Sequence, residues 1–276
     1  MKEGLHSLVD LRKTTVFVKS LGDEILKARL EAIIKGRRPR RRILEKIQQM
    51  RKTDGGFAFW EEDVSSITTT LNVVGWLDDL SLRDGPVVDE TFDFLLSHQQ
   101  EDGGWDEIAE VRDVEPLPYM MPGELNTRIW LTACCAHWFI RFGRAEPPGA
   151  KGCPAEFLMQ HVIPSGLISG YLYASWDALV MFNYHPGSKS DVFRNLLTEV
   201  RERLDPDEHD ATDLAWLLRC LRDIDLSVED DLVSRAINTL MSMQRPDGSW
   251  SSSEGERYIG MTTIDAIRVL HDFGKL

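Results

Sequence analysis

The sequence predicts an all-α fold: a single (α/α)6 barrel of six helical hairpins, with residues 1–276 forming one domain. Three observations predict it. A turn motif recurs along the chain, an apolar helical run precedes each copy, and a second helical run rich in small residues follows each copy.

The motif is clearest at Gln99-Gln100-Glu101-Asp102-Gly103-Gly104-Trp105 and at Gln244-Arg245-Pro246-Asp247-Gly248-Ser249-Trp250. A third copy runs from Gln48-Gln49 to Asp54-Gly55-Gly56-Phe57. The Asp positions 54 and 102 stand 48 apart, and 102 and 247 stand 145 apart, close to three times 48. Two degenerate copies fill that interval, Phe157-Leu158-Met159-Gln160 to Ser165-Gly166 and Leu196-Leu197 through Asp205-Pro206-Asp207. Gly supplies the left-handed residue that ends a helix, and Asp favours the turn. The Trp or Phe just beyond can fold back on the preceding helix, while Gln offers its amide to the freed backbone groups. The motif therefore reads as a structural staple between neighbouring hairpins, without chemistry of its own.

Helices are predicted before each turn, at about 40–53, 87–100, 153–163, 189–203 and 228–243, and after each turn, at about 64–80, 124–141, 170–183, 210–223 and 260–272. Two more near 5–20 and 22–35 complete six pairs. The helices after the turns carry Thr68-Thr69-Thr70, Ala133-Cys134-Cys135 and Ala174-Ser175, as crowded inner helices would. Six pairs suit closure, whereas an open solenoid needs polar capping helices at its ends. The long connections at 106–123 and 143–154 exceed ordinary helix–helix loops and are expected to cover one mouth of the barrel.

Composition narrows the function. Hydrophobic residues make up 42% of the chain and charged residues 28%, a globular balance. The net charge of −13 sets up a field that repels phosphate backbones, so nucleic acid is not an expected partner. Met1-Lys2-Glu3-Gly4-Leu5-His6 lacks the basic and apolar regions of a signal peptide, and no run of 18 apolar residues occurs. Cys134, Cys135, Cys153 and Cys220 show no metal or disulfide spacing, which fits a reduced, cytoplasmic setting. No metal-ligand cluster or nucleotide-binding glycine loop stands out, so neither metal nor cofactor is expected. Lys35-Gly36-Arg37-Arg38-Pro39-Arg40-Arg41-Arg42 is read chiefly as a solvated connection, with Pro39 keeping two helices apart. Its charge also suits peripheral contact with anionic lipid or a diphosphate.

The repeated Gln…Asp-Gly-Gly-Trp unit resembles the QW-type repeat of squalene and oxidosqualene cyclases, class II terpene cyclases and protein prenyltransferase β subunits, over nearly the whole chain. The resemblance implies a central cavity that takes a long apolar isoprenoid chain. Class II cyclases protonate a double bond or epoxide there with the middle residue of an Asp-x-Asp-Asp motif at the start of an inner helix. Aromatic faces then steady the carbocations. This chain has Asp210-Ala211-Thr212-Asp213 at that place, with Thr212 where the proton donor stands in the family. Asp205-Pro206-Asp207-Glu208 lies a turn earlier. The zinc site of the prenyltransferases has no counterpart, since no Asp-x-Cys precedes a suitably spaced His. Gly152-Cys153-Pro154-Ala155-Glu156 lacks the Gln that a complement-type thioester needs.

Asp210 and Asp213 are accordingly the candidate catalytic acids, each also a favourable helix N-cap. Asp177 and Asp265 sit mid-helix before Ala, where a carboxylate must face a cavity or find a basic partner such as Arg268. Trp130, Tyr171, Tyr173, Trp176 and Trp216 are candidate aromatic wall or plain core. Trp130, Tyr173, Trp176, Asp177, Trp216 and Asp265 form the expected substrate-binding set. Two functions follow: a terpene-cyclase-like enzyme acting on an isoprenoid by acid protonation, or a non-catalytic toroid binding a lipid or protein. Full-length class II cyclases usually pair two barrels, so a partner subunit or a second copy in a homodimer could supply another half. Lyase action on acidic sugars would want a basic cleft, which the net charge disfavours.

Overall fold

The computed structural model describes residues 9–59 and 62–276. The first turn of the helix expected at 5–20, and Met1 to His6, lie outside the described residues. Among the described residues are twelve α-helices, one for each predicted run, and a single two-stranded hairpin as the only sheet. In chain order the first six are α1 (Leu11–Ser20), α2 (Glu24–Lys35), α3 (Arg41–Met50), α4 (Ile67–Asp79), α5 (Pro86–Ser97) and α6 (Leu125–Arg141). The remaining helices are α7 (Pro154–Met159), α8 (Leu172–Phe182), α9 (Asp191–Arg203), α10 (Ala211–Asp223), α11 (Asp231–Ser242) and α12 (Ile259–Asp272). The hairpin, β1 (Phe57–Ala58) and β2 (Ser65–Ser66), pairs Phe57 with Ser66 antiparallel and was not foreseen in the sequence.

Contacts group the chain into two compact units: the described residues up to Ile43 together with Leu204–Leu276, and Leu44–Arg203. In the second unit α6 packs against both α4 and α8, with α5, α7 and α9 on their flanks. In the first, α12 packs between α10 and α2, flanked by α11 and α1. Burial separates the two kinds of helix. From Ile129 to Phe139 every residue of α6 is buried, and so is every residue of α8 from Ala174 to Phe182. A helix apolar on all sides must be a core helix, and Thr132, Ala133, Cys134, Cys135 and Ala136 let neighbours approach closely. By contrast α9 buries only Phe193, Leu196 and Val200, one stripe at helical spacing.

The turns behave as staples. Asp54, Asp102 and Asp247 each accept, through Oδ1, the N–H two residues on at 3.0 Å. Gln99 donates Nε2 to the carbonyls of Gly103 and Gly152 and accepts the Lys151 N–H at 2.9 Å, so it holds the entry to α7. Gln244 repeats this on α1: Nε2 donates to Thr14 Oγ1 at 3.0 Å, and Oε1 accepts the Asp10 N–H at 2.8 Å. The indole N–H groups of Trp105 and Trp250 each donate 2.7 Å to the carbonyl ten residues earlier, Leu95 and Leu240. The aromatic thus caps the helix it follows, and each of these turns is seated on the next outer helix. The last one is seated on α1, at the other end of the sequence. The degenerate fourth turn keeps less: Gln160 is exposed, and only Gly166 packs against α9.

The connection 106–123 folds as 3-10 turns, Ala109–Val114 and Pro118–Met120. Val111 and Met120 bury against Phe59 in a small apolar cluster of their own. Gly36, left-handed at φ 58°, ends α2 before Pro39 is reached.

Gly248 has φ +90°, and a Cβ there would lie 2.3 Å from the Thr14 nitrogen. Gly248→Ala should therefore cost about 2–4 kcal/mol. Gly143, at φ +69° with nothing near its would-be Cβ, should cost only about 1 kcal/mol on the same change. Urea denaturation of the two variants measures the difference; equal losses would mean that the turn is not seated on α1.

Candidate active site

At the N-terminal ends of α10 and α12, the first unit gathers carboxylates. Asp210 caps α10, its Oδ1 accepting the N–H of Thr212 at 2.7 Å and of Asp213 at 3.0 Å. One turn on, Asp213 Oδ2 lies 3.0 Å from His209 Nδ1. Thr212, between the two aspartates, bonds Thr262 Oγ1 at 3.2 Å and so ties α10 to α12. Asp265, two turns into α12, accepts the buried Arg29 guanidinium at 3.1 Å. The partner suggested by sequence, Arg268, pairs with Asp272 at 3.1 Å.

Glu254 completes the group from the loop before α12. Its side chain is exposed, yet its carboxyl is pushed above the usual glutamate value, first by partial desolvation and then by the carboxylates of Asp265 and Asp210, against an opposing pull from Arg257 and with a smaller push from Asp213. Among the described residues its carboxylate takes part in no hydrogen bond or ion pair. A glutamate at the corresponding turn of the second unit is used differently. Glu107, 5% exposed, accepts the N–H groups of Ile67 at 2.7 Å and Thr68 at 3.1 Å and the Ser66 hydroxyl at 2.9 Å. It is spent on the start of α4, whereas the Glu254 carboxylate has no such donors among the described residues.

Trp216 lies on α10, half-buried, with the Arg219 guanidinium 5.0 Å from its ring centre. The other sequence candidates belong to the second unit. Asp177 and His137 are both buried, Oδ1 and Nδ1 being 2.7 Å apart, so Asp177 has the basic partner its position requires. Trp176 meets half-buried Tyr173 edge-on at 5.1 Å, and Trp130 meets Tyr119 edge-on at 5.4 Å. The Cys135 thiol is pushed well up by burial and by Glu107 and Asp177, which keeps it an inert core group. Thus Asp210, Asp213 and Asp265 lie in one unit, whereas Trp130, Trp176 and Asp177 are buried, and Tyr173 half-buried, in the other. Sequence reasoning missed Glu254, Glu107, His137, His209 and Arg29. An acidic residue within four positions of Trp105 and of Trp250 was the available signal for the two glutamates.

No protein-family model matches the chain, and neither does any curated protein. Solved structures do. The type II terpene cyclase MstE from Scytonema, without ligand, matches with a TM-score of 0.65 at 15% identity, covering 96% of this chain and 97% of that one. A protein from Actinoplanes matches with a TM-score of 0.63 at 15% identity, over 91% and 90% of the two chains. A substituted form of MstE in complex with geranylgeranyl dihydroxybenzoate, its substrate, matches with a TM-score of 0.57 at 16% identity, over 95% and 88%. The chain therefore has an all-α fold like that of the type II terpene cyclases, in keeping with the (α/α)6 class predicted from its repeats. Among the described residues, no helix is long and apolar enough to cross a membrane.

The raised Glu254 carboxyl has a consequence for stability. A group whose folded value lies above its unfolded value of 4.5 contributes fully below that value, and the contribution is lost as pH rises through the folded one. At neutral pH the ionised side chain is then a net liability. Glu254→Gln should stabilise the protein at neutral pH by about a few tenths of a kcal/mol, since solvent screens so exposed a group. The gain should vanish well below pH 4.5; urea midpoints at both pH values test it, and a gain that persisted in acid would contradict the cluster.

Proposed function

We propose that the protein is a terpene-cyclase-like enzyme that protonates an isoprenoid chain and closes it into rings. The observation that supports the reading is the grouping of Asp210 and Asp213 at the start of α10 with Asp265 on α12 and Glu254 from the loop before it, in a terpene-cyclase-like fold. Protonation of an unactivated double bond needs a carboxyl group that stays protonated in the site. Asp210 is engaged as a helix cap, Asp265 with Arg29 and Asp213 with His209, so Glu254, and Asp213 through its contact with His209, are the proposed members that pass a proton. Asp210 holds Asp213 in place through its N–H, and the surrounding negative charge favours the protonated form of Glu254.

The step balances without a co-reactant. The acid O–H breaks as a C–H bond forms at one alkene carbon, leaving a cation on the other. The next double bond attacks it, and a proton leaves the final cation to a base. Trp216 in the first unit presents a π-face that steadies positive charge without taking a proton. Trp130, Tyr173 and Trp176 are proposed as apolar substrate contacts within their own unit. The substrate of the structurally similar MstE supports a geranylgeranyl chain as the first one to try. Thr212 in the donor position favours a second reading, a toroid that binds an isoprenoid lipid without converting it.

Gas chromatography–mass spectrometry of protein incubated with farnesyl and geranylgeranyl diphosphates, a geranylgeranylated dihydroxybenzoate, squalene and oxidosqualene, with and without magnesium, separates the two. A cyclised isomer of one substrate is expected. Asp210→Asn with Asp213→Asn should lower its yield by about a thousandfold or more, and Glu254→Gln by at least about a hundredfold, as for loss of a general acid. Unchanged yield in both would remove the site assignment. Ligand retained without conversion would establish the binding reading.

A further inference from the structure

The segment linking α2 to α3 forms one wall of a cleft of about 490 Å³. The other wall is the α1–α2 corner and the first turns of α2. Six cations line it: Lys19, Lys27, Arg37, Arg38, Arg40 and Arg42. Three acidic side chains, Asp23, Glu24 and Glu31, line it too. Two of these are already engaged. Asp23 caps α2, accepting the N–H groups of Ile25 at 2.7 Å and Leu26 at 3.0 Å. Glu24 pairs with Arg42 at 2.8 Å. That leaves Lys19, Lys27, Arg37, Arg38 and Arg40 with no side-chain partner among the described residues, facing Glu31 as the one unengaged carboxylate of the lining.

Such a cluster runs against the rest of the chain. The protein carries a net charge of −13, and five unpaired cations repel one another. A concave wall focuses their field into the space between them. Arginine forks match phosphate oxygens two at a time, and lysines add point charge. Gly36 and Pro39 bend and stiffen the arginine-bearing segment, so its three guanidinium groups enter one space without continuing a helix.

We propose that this cleft binds a ligand with closely spaced phosphates, a diphosphate or a phosphorylated lipid headgroup. The inference does not depend on the proton-transfer site. Isothermal titration calorimetry with inorganic pyrophosphate tests the free anion. Flotation with phosphatidylcholine vesicles, with and without phosphatidylinositol 4-phosphate, tests the lipid source. Saturable, salt-sensitive binding of at least one probe is expected. It should weaken by about tenfold or more in Arg37→Ala/Arg38→Ala/Arg40→Ala, through loss of charge-assisted bonds. Lys19→Ala/Lys27→Ala, on the opposite wall, should weaken it too, and thermal melting checks that both variants fold. Pyrophosphate binding alone assigns a soluble diphosphate, and vesicle binding alone assigns a headgroup. Binding of neither probe by the intact protein, or unchanged binding in both folded variants, overturns the proposal.

Discussion

A backbone N–H at the end of each well-formed turn, donated to a hydroxyl of the inner helix that follows, sets the register of the fold. Phe57 donates to Thr70 Oγ1 at 3.1 Å, Trp105 to Thr132 Oγ1 at 2.9 Å, and Trp250 to Thr263 Oγ1 at 3.1 Å. The weaker turn before α8 does the same with Ile168 and Ser175 at 3.0 Å. These bonds are buried, so leaving the donor unpaired would be costly. Each fixes how far the inner helix slides along the outer one. Asp177 and Asp265 stand two residues beyond Ser175 and Thr263, so the register that holds the scaffold also aims the two mid-helix carboxylates. Asp177 meets His137 and Asp265 meets Arg29 as a result.

Much of this architecture was legible in the sequence because it is local and repeated. The Asp-Gly-Gly-Trp and Asp-Gly-Ser-Trp turns announce themselves, and the small residues around Ala133 and Ala174 mark helices that must pack on every side. The hydroxyls that receive the turn N–H groups were visible only as small inner-helix residues. The β1–β2 hairpin was hidden, because two-residue strands carry no alternation to detect. The site was legible in part. Asp210 and Asp213 are contiguous in sequence, and their joint position followed from the resemblance. Glu254 lies some forty residues on, in a loop of serines that gives no periodic signal. Arg29 reaches Asp265 across more than two hundred residues, a pairing that only the docking of α12 on α2 explains.

The two glutamates after the tryptophan turns stand in contrasting surroundings. Glu107 is buried and saturated with donors, which suits a lasting negative charge at the start of α4. Glu254 lacks such donors and faces other carboxylates, which favours holding a proton. Alkene protonation needs a carboxyl whose protonated form is favoured, and Trp216 on the same unit carries a π-face. The basic cleft between α1, α2 and the α3 connection lies apart from this chemistry in its lining residues. It gives the acidic chain one place to hold an anion.

Isotope labelling tests the central claim, protonation by a carboxyl group that exchanges with solvent. Protein equilibrated in D2O is given a geranylgeranylated substrate, and the product is weighed by mass spectrometry. The account predicts a cyclised product carrying a single deuteron on the carbon protonated first, and no such product from the Asp210→Asn, Asp213→Asn variant. A cyclised product without deuterium would contradict it, because the ring would then have closed without an acid.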